Sequence, residues 1–326
     1  MPKCFDTVKN LYTYTDNIDE DMKKVIAITG PTASGKSAAA LELCQAIGGE
    51  IVSCDSMQIY KGMDIGTAKP TQSEQNAVRH HMIDVVTPDV DYSCADYAEG
   101  ALRCIDEIIS RGRIPVICGG TGMYFERLFF AAPLASPPCD PELRALLEER
   151  TSEENYGELM RVDPVSAEKT HANNRKRVIR ALEIYRSSGK PKSVWDAESL
   201  ENKPDYDLTH VTLVSENREY LYSRIDKRVD IMMEQGLENE VRGLCMRTDS
   251  TAGQAIGYKE LMSAFAGEMS AADAVSLIKQ RSRNYAKRQL TWFRRYGDAI
   301  RYDVSDGTKC DNIVNFLISL VDNVNM

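Results

Sequence analysis

A glycine-bracketed loop near the start of the chain has the residue types and spacing of a phosphate-binding site. Residues 30–37, GPTASGKS, fit the pattern G-x-x-x-x-G-K-[ST] in full, after an apolar run and before a helix-forming run. In such a loop, backbone N–H groups turn toward phosphate oxygens, the lysine adds a positive charge and the hydroxyl reaches a Mg²⁺ ion. We predict that this phosphate loop binds a diphosphate or triphosphate through Gly30, Pro31, Thr32, Ala33, Ser34, Gly35, Lys36 and Ser37. Ser37 is the predicted metal ligand, and the alternative is a glycine turn that binds nothing.

Two further polar residues follow predicted strands. Asp55 comes at the end of EIVSCDS, and Thr121 follows the glycine pair of IPVICGGTG. Open α/β sheets bind their ligands at the carboxyl ends of the strands, so both residues are expected beside the phosphate loop. Asp55 is suited there to hold Mg²⁺ or to act as a general base, and the alternative is a helix-capping carboxylate. Thr121 is suited to stabilise a developing anion.

The distribution of charge favours a polyanionic partner, although the net charge of the chain is −9. Residues 175–192 contain seven lysines and arginines against one acid, and residues 279–295 contain seven and no acid. A single run of charge is usually a solvated surface. Two such runs in an acidic chain favour a polyanion. Aromatic residues lie among the arginines of the second run, which suits the stacking of unpaired RNA bases.

The elements that must position these residues alternate between strands and helices. KVIAITG, EIVSCDS, HMIDVV and IPVICGG are apolar strand candidates, and SCADYAEGALRCIDEIISRG is a helix candidate with Ser93 as its N-cap. Nearly continuous apolar strands predict a parallel sheet with helices on both faces. The predicted fold class is α/β, a P-loop NTPase-like parallel sheet with helices on both faces, plus a small all-helical insertion domain.

The boundaries of that insertion follow from a change in composition. APLASPPCDPELRALLEER opens with four prolines, and only helical patterns and polar turns follow until DLTHVTLVS, which is a strand candidate. We predict a polar N-terminal tail at 1–21, a core formed by 22–135 and 208–326, and a helical insertion domain at 136–207. Met22 is an alternative start of the chain. The last helix is expected to dock on the core through Ile313, Phe316, Leu317 and Leu320.

Composition excludes several classes of protein. The chain is 43% hydrophobic and 27% charged, as is typical of a soluble globular protein. No apolar run approaches the ~20 residues of a membrane span, and the N-terminus lacks the apolar core of a secretory signal. The nine cysteines and four histidines show no metal-ligand spacing, so we expect buried thiols in a reducing compartment. The expected localisation is cytoplasmic, with no membrane partner.

Six segments occur in an order that resembles a known family: GPTASGKS, SCDSMQIYKGMDIGTAKPT, GGTGMY, NNRKRVIRALEIY, GQAIGYKE and YAKRQLTWFR. Together they resemble the tRNA dimethylallyltransferases (tRNA isopentenyltransferases) of the bacterial type, from Val25 to about Tyr296. The loop from Asp55 to Thr71 is the most specific of them, because ordinary P-loop kinases lack it. The resemblance implies transfer of the dimethylallyl group from dimethylallyl diphosphate to N6 of the adenosine 3′-adjacent to the anticodon, with release of diphosphate.

The resemblance also implies roles for individual residues. The phosphate loop, the cofactor Mg²⁺ and Thr121 would stabilise the departing diphosphate. Asp55 would accept the proton of the N6 amine, and Arg144 in DPELR would act near the same transition state. The implied partner is the tRNA anticodon stem-loop, and we expect a monomer. The residues implied in tRNA binding are Asp55, Ser56, Met57, Gln58, Lys176, Arg177, Val178, Ile179, Arg180, Gln254, Arg281, Arg283, Asn284, Lys287 and Arg288.

Three other functions share part of this pattern. A small-molecule kinase that uses ATP shares the phosphate loop but does not need two basic segments with interspersed aromatics. An isopentenyltransferase that acts on free adenine nucleotides shares the loop, Asp55 and Thr121. The helical insertion and the segment NRKRV favour a polymer substrate instead. A non-catalytic RNA-binding module would not need Lys36, Ser37, Asp55 and Thr121 to be intact.

Overall fold

A single parallel sheet forms the centre of the molecule. The structure is a computed structural model that describes residues 23–131, 140–201, 204–244, 246–305 and 310–323; the predicted tail at 1–21 and Met22 lie outside them. Within these ranges, six parallel strands pair in the order β3-β2-β4-β1-β5-β6. They are β1 (Lys24–Thr29), β2 (Glu50–Cys54), β3 (His80–His81), β4 (Pro115–Gly119), β5 (Asp207–Val214) and β6 (Ile300–Asp303).

Helices connect and cover these strands. Those that precede β5 are α1 (Lys36–Ile47), α2 (Gln72–Ala77), α3 (Cys94–Ser110), α4 (Gly122–Phe129), α5 (Pro141–Glu149), α6 (Ser152–Val162), α7 (Pro164–Glu168), α8 (Arg175–Ser188) and α9 (Lys192–Glu201). Those that follow β5 are α10 (Arg218–Glu234), α11 (Leu237–Leu244), α12 (Tyr258–Phe265), α13 (Ala271–Phe293) and α14 (Cys310–Asn323). No helix among the described residues is both long and apolar enough to cross a membrane.

Both faces of the sheet are buried, which confirms the predicted α/β class. Side chains alternate along β1, so Ile26 and Ile28 pack on one face with α1 and α14, while Val25 and Ala27 pack on the other with α3 and α4. The C-terminal helix docks as predicted. Its Ile313 and Leu317 are buried in the apolar cluster that includes Ile26, Ile28 and α1, and Phe316 and Leu320 are partly buried against that cluster.

Local sequence signals explain where two of the helices begin, and Ser93 is the N-cap that was predicted. Ser93 caps α3 by accepting a hydrogen bond from the Asp96 N–H, and the Asp96 carboxylate accepts one from the Ser93 N–H in return. Asp140 caps α5 ahead of Pro141 in the same manner, through the N–H groups of Glu142 and Leu143.

Two strand assignments differ from the sequence prediction. The segment HMIDVV is not a strand beyond His81, because Met82 and Asp84 have left-handed φ angles of 59° and 52°. The N–H groups of Val85 and Val86 both bond the Ile59 carbonyl, so this segment pairs with the loop after β2. The four-residue strand β6 was not predicted, since its partly buried sequence IRYD lacks a continuous apolar run.

The helices α5–α9 pack around an apolar cluster of their own. Leu147, Leu159 and Leu182 are fully buried there, from α5, α6 and α8 respectively. The segment from Pro141 to Glu201 contains no strand. Residues 132–139 and 202–203, which flank it, lie outside the described ranges. A compact group of helices therefore separates β4 and α4 from β5 along the chain.

A buried histidine of β5 links that strand to β1, next to the phosphate loop. His210 Nε2 lies 2.8 Å from the Thr29 hydroxyl and 3.2 Å from the Thr212 hydroxyl, and its ring packs 4.4 Å from the ring of Phe125. Burial lowers the pKa of His210 from 6.5 to about 4. The ring is therefore neutral in the folded protein at pH 7.

This lowered pKa predicts a loss of stability in mild acid. The unfolded chain binds a proton on His210 near pH 6.5, so the stabilisation is complete above that pH and is lost as the pH falls toward 4. Between pH 7 and 4.5, the unfolding free energy of the wild type should therefore fall by about 2–3 kcal/mol more than that of His210→Gln. Urea titrations of both proteins at each pH would measure this, and equal pH dependences would contradict it.

Candidate active site

The predicted functional groups meet at the carboxyl edge of the sheet. β4 pairs with both β1 and β2, so the phosphate loop after β1, Asp55 after β2 and Thr121 after β4 leave the sheet side by side. The phosphate loop and Asp55 line a cavity of about 320 Å³. Its other walls come from the loop after β2 and from α10, α11 and α13.

The phosphate loop is held tightly against the sheet. Gly30 has a φ of 138°, and a Cβ there would lie 2.4 Å from the Leu213 carbonyl oxygen, so only glycine fits. Lys36 is buried in the first turn of α1 and its Nζ donates to the Pro31 carbonyl at 2.6 Å. The N-terminus of α1, with exposed Ser37, points its backbone dipole at the same space.

The charge on Lys36 is poorly compensated within the protein. Burial lowers the pKa of Lys36 from 10.5 to about 8, the nearby Arg228 guanidinium contributes to the lowering, and the Asp55 carboxylate opposes it. Burial also lowers the pKa of Arg228, again opposed by Asp55. The buried Lys36 and the partly buried Arg228 thus share one nearby carboxylate, which is an arrangement that favours an anionic ligand.

Asp55 and Thr121 belong to one hydrogen-bond network, which joins the segment after β2 to the segment after β4. Asp55 Oδ1 accepts from the Met57 N–H at 2.8 Å, and Thr121 Oγ1 accepts from the Ser56 N–H at 3.0 Å. The Thr121 N–H in turn bonds the Cys54 carbonyl at 3.1 Å. These bonds fix the first residues after β2 to the first residues after β4. The Asp55 carboxylate is thereby held at the cavity wall.

Tyr285 of α13 extends this arrangement into the cavity. Its phenol lines the cavity beside Thr121, and burial raises its pKa to about 12, with the Asp55 carboxylate adding to the effect. Arg288, one turn further along α13, lies over the Tyr285 ring at 5.5 Å. The tyrosine therefore stays protonated at neutral pH and can orient the Thr121 hydroxyl.

Three residues that the sequence analysis did not single out support the phosphate loop. Gln289 of α13 accepts from the Thr32 N–H at 2.8 Å and donates to the Gly120 carbonyl at 2.9 Å. Arg224 of α10 donates to the Ala33 carbonyl at 2.8 Å, and Arg228 donates to the Thr32 hydroxyl at 3.2 Å. Arg224 and Arg228 are spaced i, i+4 on one face of α10, which was the available signal.

An apolar wall completes the cavity. It is built from side chains of α10, α11 and α13 and of the segment before α12, and all of these elements follow β5 in the chain. The residues are Ile225, Val229, Met232, Leu237, Ala255, Ile256 and Ile278. The cavity thus combines groups that bind phosphate, a carboxylate and a hydrophobic surface.

Comparisons with known proteins agree with this combination. The profile of the family described as IPP transferase matches residues 58–296, which is more than half of the chain. The tRNA dimethylallyltransferase of Acetivibrio thermocellus is 47% identical over 281 residues, covering 84% of this chain and 90% of that protein. The chain belongs to the tRNA dimethylallyltransferase family. It is therefore a prenyltransferase by family membership.

Other members of the family are similar over most of their length. The tRNA dimethylallyltransferase of Bacillus anthracis is 46% identical over 301 residues, with 90% of this chain and 95% of that protein covered. The solved tRNA isopentenylpyrophosphate transferase of Bacillus halodurans has 38% identity and a TM-score of 0.67, covering 92% and 97% of the two chains. A eukaryotic dimethylallyltransferase, described as acting on tRNA, has 29% identity and a TM-score of 0.80, covering 92% and 79%.

The tRNA dimethylallyltransferase fold brings some of the predicted tRNA-binding residues to the cavity and others to the surface. Ser56, Met57, Gln58, Gln254 and Arg288 line the cavity together with Asp55. Gln254 also accepts from Lys259 Nζ at 2.8 Å. The exposed predicted residues lie on α8 and α13 and are Lys176, Arg177, Asn284, Lys287 and Arg288.

Several other predicted residues have structural partners instead. Val178 and Ile179 were also predicted to bind tRNA, but their side chains are only 1% and 4% exposed and pack within the cluster of α5–α9. A residue buried between helices has no surface to offer a nucleic acid. Arg144 and Arg180 both bind the buried Glu183 carboxylate, at 2.6 and 3.2 Å.

Predicted tRNA-binding arginines in the middle of α13 also have partners on neighbouring helices. Arg281 forms an ion pair with the buried Glu260 of α12, and Arg283 bonds Asp226 of α10 at 2.5 Å. Arg144, although predicted to be catalytic, is not among the residues that line the cavity within the described ranges. The basic residues of α13 thus divide between ion pairs with neighbouring helices near its middle and exposure closer to its end.

The lowered pKa of Lys36 predicts that binding of a diphosphate ester weakens in alkali. Below pH 8 the ammonium is charged and attracts the ligand, and above pH 8 the charge is lost. The dissociation constant should rise toward a limit of about tenfold per pH unit above 8. Titration calorimetry from pH 7 to 9.5 would measure this. Lys36→Arg keeps its charge over the range and is the control; equal pH dependence of the two proteins would contradict the assignment.

Proposed function

We propose that this protein transfers the dimethylallyl group of dimethylallyl diphosphate to N6 of the adenosine 3′-adjacent to the anticodon in tRNA, releasing diphosphate. The observation that carries the proposal is the make-up of one cavity, where the phosphate loop, the Asp55 carboxylate and an apolar wall line the same space. A diphosphate joined to a short hydrocarbon matches the phosphate loop and the apolar wall. Membership in the tRNA dimethylallyltransferase family supports the choice of donor and acceptor.

In the proposed reaction the N6 amine attacks C1 of the dimethylallyl group. The bond between C1 and the diphosphate oxygen breaks, and its electron pair leaves with the diphosphate. The Asp55 carboxylate accepts the proton that N6 loses, because it lines the cavity and is held in place by the Met57 N–H. Adenine N6 is a weak nucleophile, so positioning and charge stabilisation supply most of the acceleration.

The departing diphosphate gains negative charge, and the site is prepared to neutralise it. The N–H groups of the phosphate loop, buried Lys36 and the α1 dipole are in place before reaction, so they need not reorganise. Arg228, which bonds the Thr32 hydroxyl, adds a second, partly buried cation at this position. The Thr121 hydroxyl, oriented by Tyr285, is proposed to donate to the same charge.

Mg²⁺ fits this site as a companion of the diphosphate. The described residues include no cluster of three or more His, Cys, Asp or Glu side chains able to enclose a metal ion. Mg²⁺ binds through few protein ligands together with substrate phosphates and water, all of them oxygen donors. The Ser37 hydroxyl is the proposed protein ligand. When bound, the ion would neutralise part of the diphosphate charge.

The acceptor adenosine must leave the anticodon-loop stack to reach the cavity, which costs a few kcal/mol. We propose that Asp55 to Gln58 meet the extruded base. Exposed Lys176 and Arg177 on α8, together with Lys287 and Arg288 at the end of α13, would bind the phosphates of the stem-loop. Because contacts between these cations and phosphates release counterions from the RNA, this binding should depend strongly on salt.

A transfer assay tests the proposal directly. The protein would be incubated with radiolabelled dimethylallyl diphosphate, Mg²⁺ and an unmodified tRNA whose anticodon is followed by adenosine, with AMP and ADP as parallel acceptors. Label on the tRNA alone is the expected result. Label on the nucleotides would replace the proposed acceptor with a free nucleotide. No transfer to any acceptor would overturn the proposal and direct attention to ATP-dependent phosphoryl transfer.

Asp55→Asn should strongly reduce turnover while tRNA and the donor still bind. The amide oxygen can still accept from the Met57 N–H, but the group can no longer take a proton from N6. We expect kcat to fall by about 10²–10⁴, while tRNA and donor still bind. Single-turnover rates and binding isotherms would measure both effects. Asp298→Asn, at an exposed position, is the matched control; an Asp55→Asn enzyme of normal kcat would exclude the general-base role.

A further inference from the structure

The loop between β2 and α2, residues 55–71, builds much of the cavity wall without any strand or long helix. Met57, Gln58, Gly66 and Thr67 from this β2–α2 loop line the cavity, and Asp55 begins it. The beginning and the end of the loop are joined, because Gln58 Nε2 donates to the carbonyls of Thr67 and Ala68 at 3.3 and 3.2 Å. The middle of the loop needs a separate anchor.

That anchor is a carboxylate from α11. Glu240 Oε2 accepts from the N–H groups of Asp64 and Ile65 at 3.0 and 2.7 Å, and Oε1 accepts from the N–H of Gly66 at 3.1 Å. Three consecutive backbone N–H groups that converge in this way form a concave anion-binding site. Here a side chain of the protein fills that site, so the carboxylate fixes the backbone of three loop residues at once.

Tyr258 of α12 holds the carboxylate in turn. Its phenol donates to Glu240 Oε1 at 2.5 Å, and its ring is fully buried. The loop lies directly on that ring, because a Cβ at Gly66 would come within 2.5–2.7 Å of the ring edge and hydroxyl. The close approach of Gly66 and the four bonds to Glu240 are two separate observations of the same contact. They connect the GMDIGT segment of the loop with the GYKE segment of α12.

A second electrostatic anchor, Lys69, also reaches Asp64, through its side chain instead of its N–H group. Lys69 Nζ bonds the Asp64 and Asp84 carboxylates and the Tyr60 carbonyl, and so joins the end of the loop to the segment after β3. Neither anchor touches the phosphate loop, which is supported by Arg224, Arg228 and Gln289. A change at Glu240 should therefore move the wall next to Asp55 and leave the diphosphate end of the cavity intact.

We propose that Glu240 is a positioning residue for the transfer reaction. Its carboxylate, oriented by Tyr258, holds the backbone of Asp64 to Gly66 and thereby sets the wall formed by Gln58, Gly66 and Thr67 against which the acceptor base lies. This inference rests on the proposed function for its kinetic consequence. The clamp on the loop backbone is independent of that function.

Glu240→Gln tests the proposal because it keeps the size of the side chain and removes one of the two acceptor oxygens. Hydrogen–deuterium exchange of the peptides that contain Asp64 to Gly66 reports the clamp without any substrate. These amides should exchange faster in the variant, while the peptides of the phosphate loop remain as in the wild type. Exchange that is unchanged at Asp64 to Gly66 would overturn the clamp even if the protein proved to have another activity.

Kinetic measurements separate a role of Glu240 in positioning the loop from a role only in the stability of the protein. Glu240→Gln should lower kcat with tRNA at least about tenfold, with the KM for dimethylallyl diphosphate and the affinity for inorganic diphosphate unchanged. A lower diphosphate affinity, or faster loop exchange with normal kcat, would overturn the positioning role. Wild-type enzyme in the same assay identifies failure of the proposed function, since the wild type would then show no transfer either, while the exchange experiment would still report the clamp.

Two further variants complete the design. Tyr258→Phe removes one of the four donors to Glu240 and keeps the ring under Gly66, so it should show the same pattern with a smaller loss; it also serves if Glu240→Gln fails to fold. Glu234→Gln, at an exposed position near the end of α10, is the matched control and should behave as wild type. A Tyr258→Phe enzyme that loses diphosphate affinity, or loses more kcat than Glu240→Gln, would overturn the proposal.

Discussion

The pairing of β4 between β1 and β2 is the interaction on which the rest of the site depends. Ile117 lies opposite Ala27 on one side and Val52 on the other, so three strands end at one level. A slip of one residue in either pairing would displace Asp55 or Thr121 by about 3.3 Å relative to the phosphate loop. That shift exceeds what the hydrogen bonds between Thr121 and Ser56 would tolerate. The apolar side chains on both faces of these strands specify the register.

Around this frame, the site keeps an excess of buried positive charge. Lys36 and Arg228 are both desolvated, and Asp55 is the carboxylate that acts on each of them. Buried charges of like sign are costly unless they gain a partner. A bound diphosphate supplies that partner, so ligand binding should stabilise the folded chain as well as prepare it for reaction.

The sequence was sufficient to predict groups that depend on local order. The phosphate loop follows from a fixed spacing after a strand, and Asp55 and Thr121 follow from strand ends, since a parallel sheet gathers those ends without further information. Ser93 and Asp140 cap helices through bonds to residues two or three positions away. These features need no knowledge of the tertiary contacts.

Features that depend on distant partners were not predictable in the same way. Arg281 and Arg283 had the pattern of a nucleic-acid surface, but their partners Glu260 and Asp226 lie on other helices. Val178 and Ile179 sit within a basic segment, and only the packing of α8 shows that they are buried. The left-handed residues Met82 and Asp84 interrupted an apparently regular strand, because the loop after β2 offered hydrogen bonds that the sheet did not.

The bond between Gln289 and the Thr32 N–H joins residues 257 positions apart. During synthesis the N-terminal part of a chain emerges from the ribosome first, at ~5–20 residues per second. The strands β1, β2 and β4 are thus outside the ribosome well before α13 is made. A nascent chain can assemble its sheet while the phosphate loop still lacks its glutamine brace, its arginines and its apolar wall. The cavity is therefore complete only after α13 has been made.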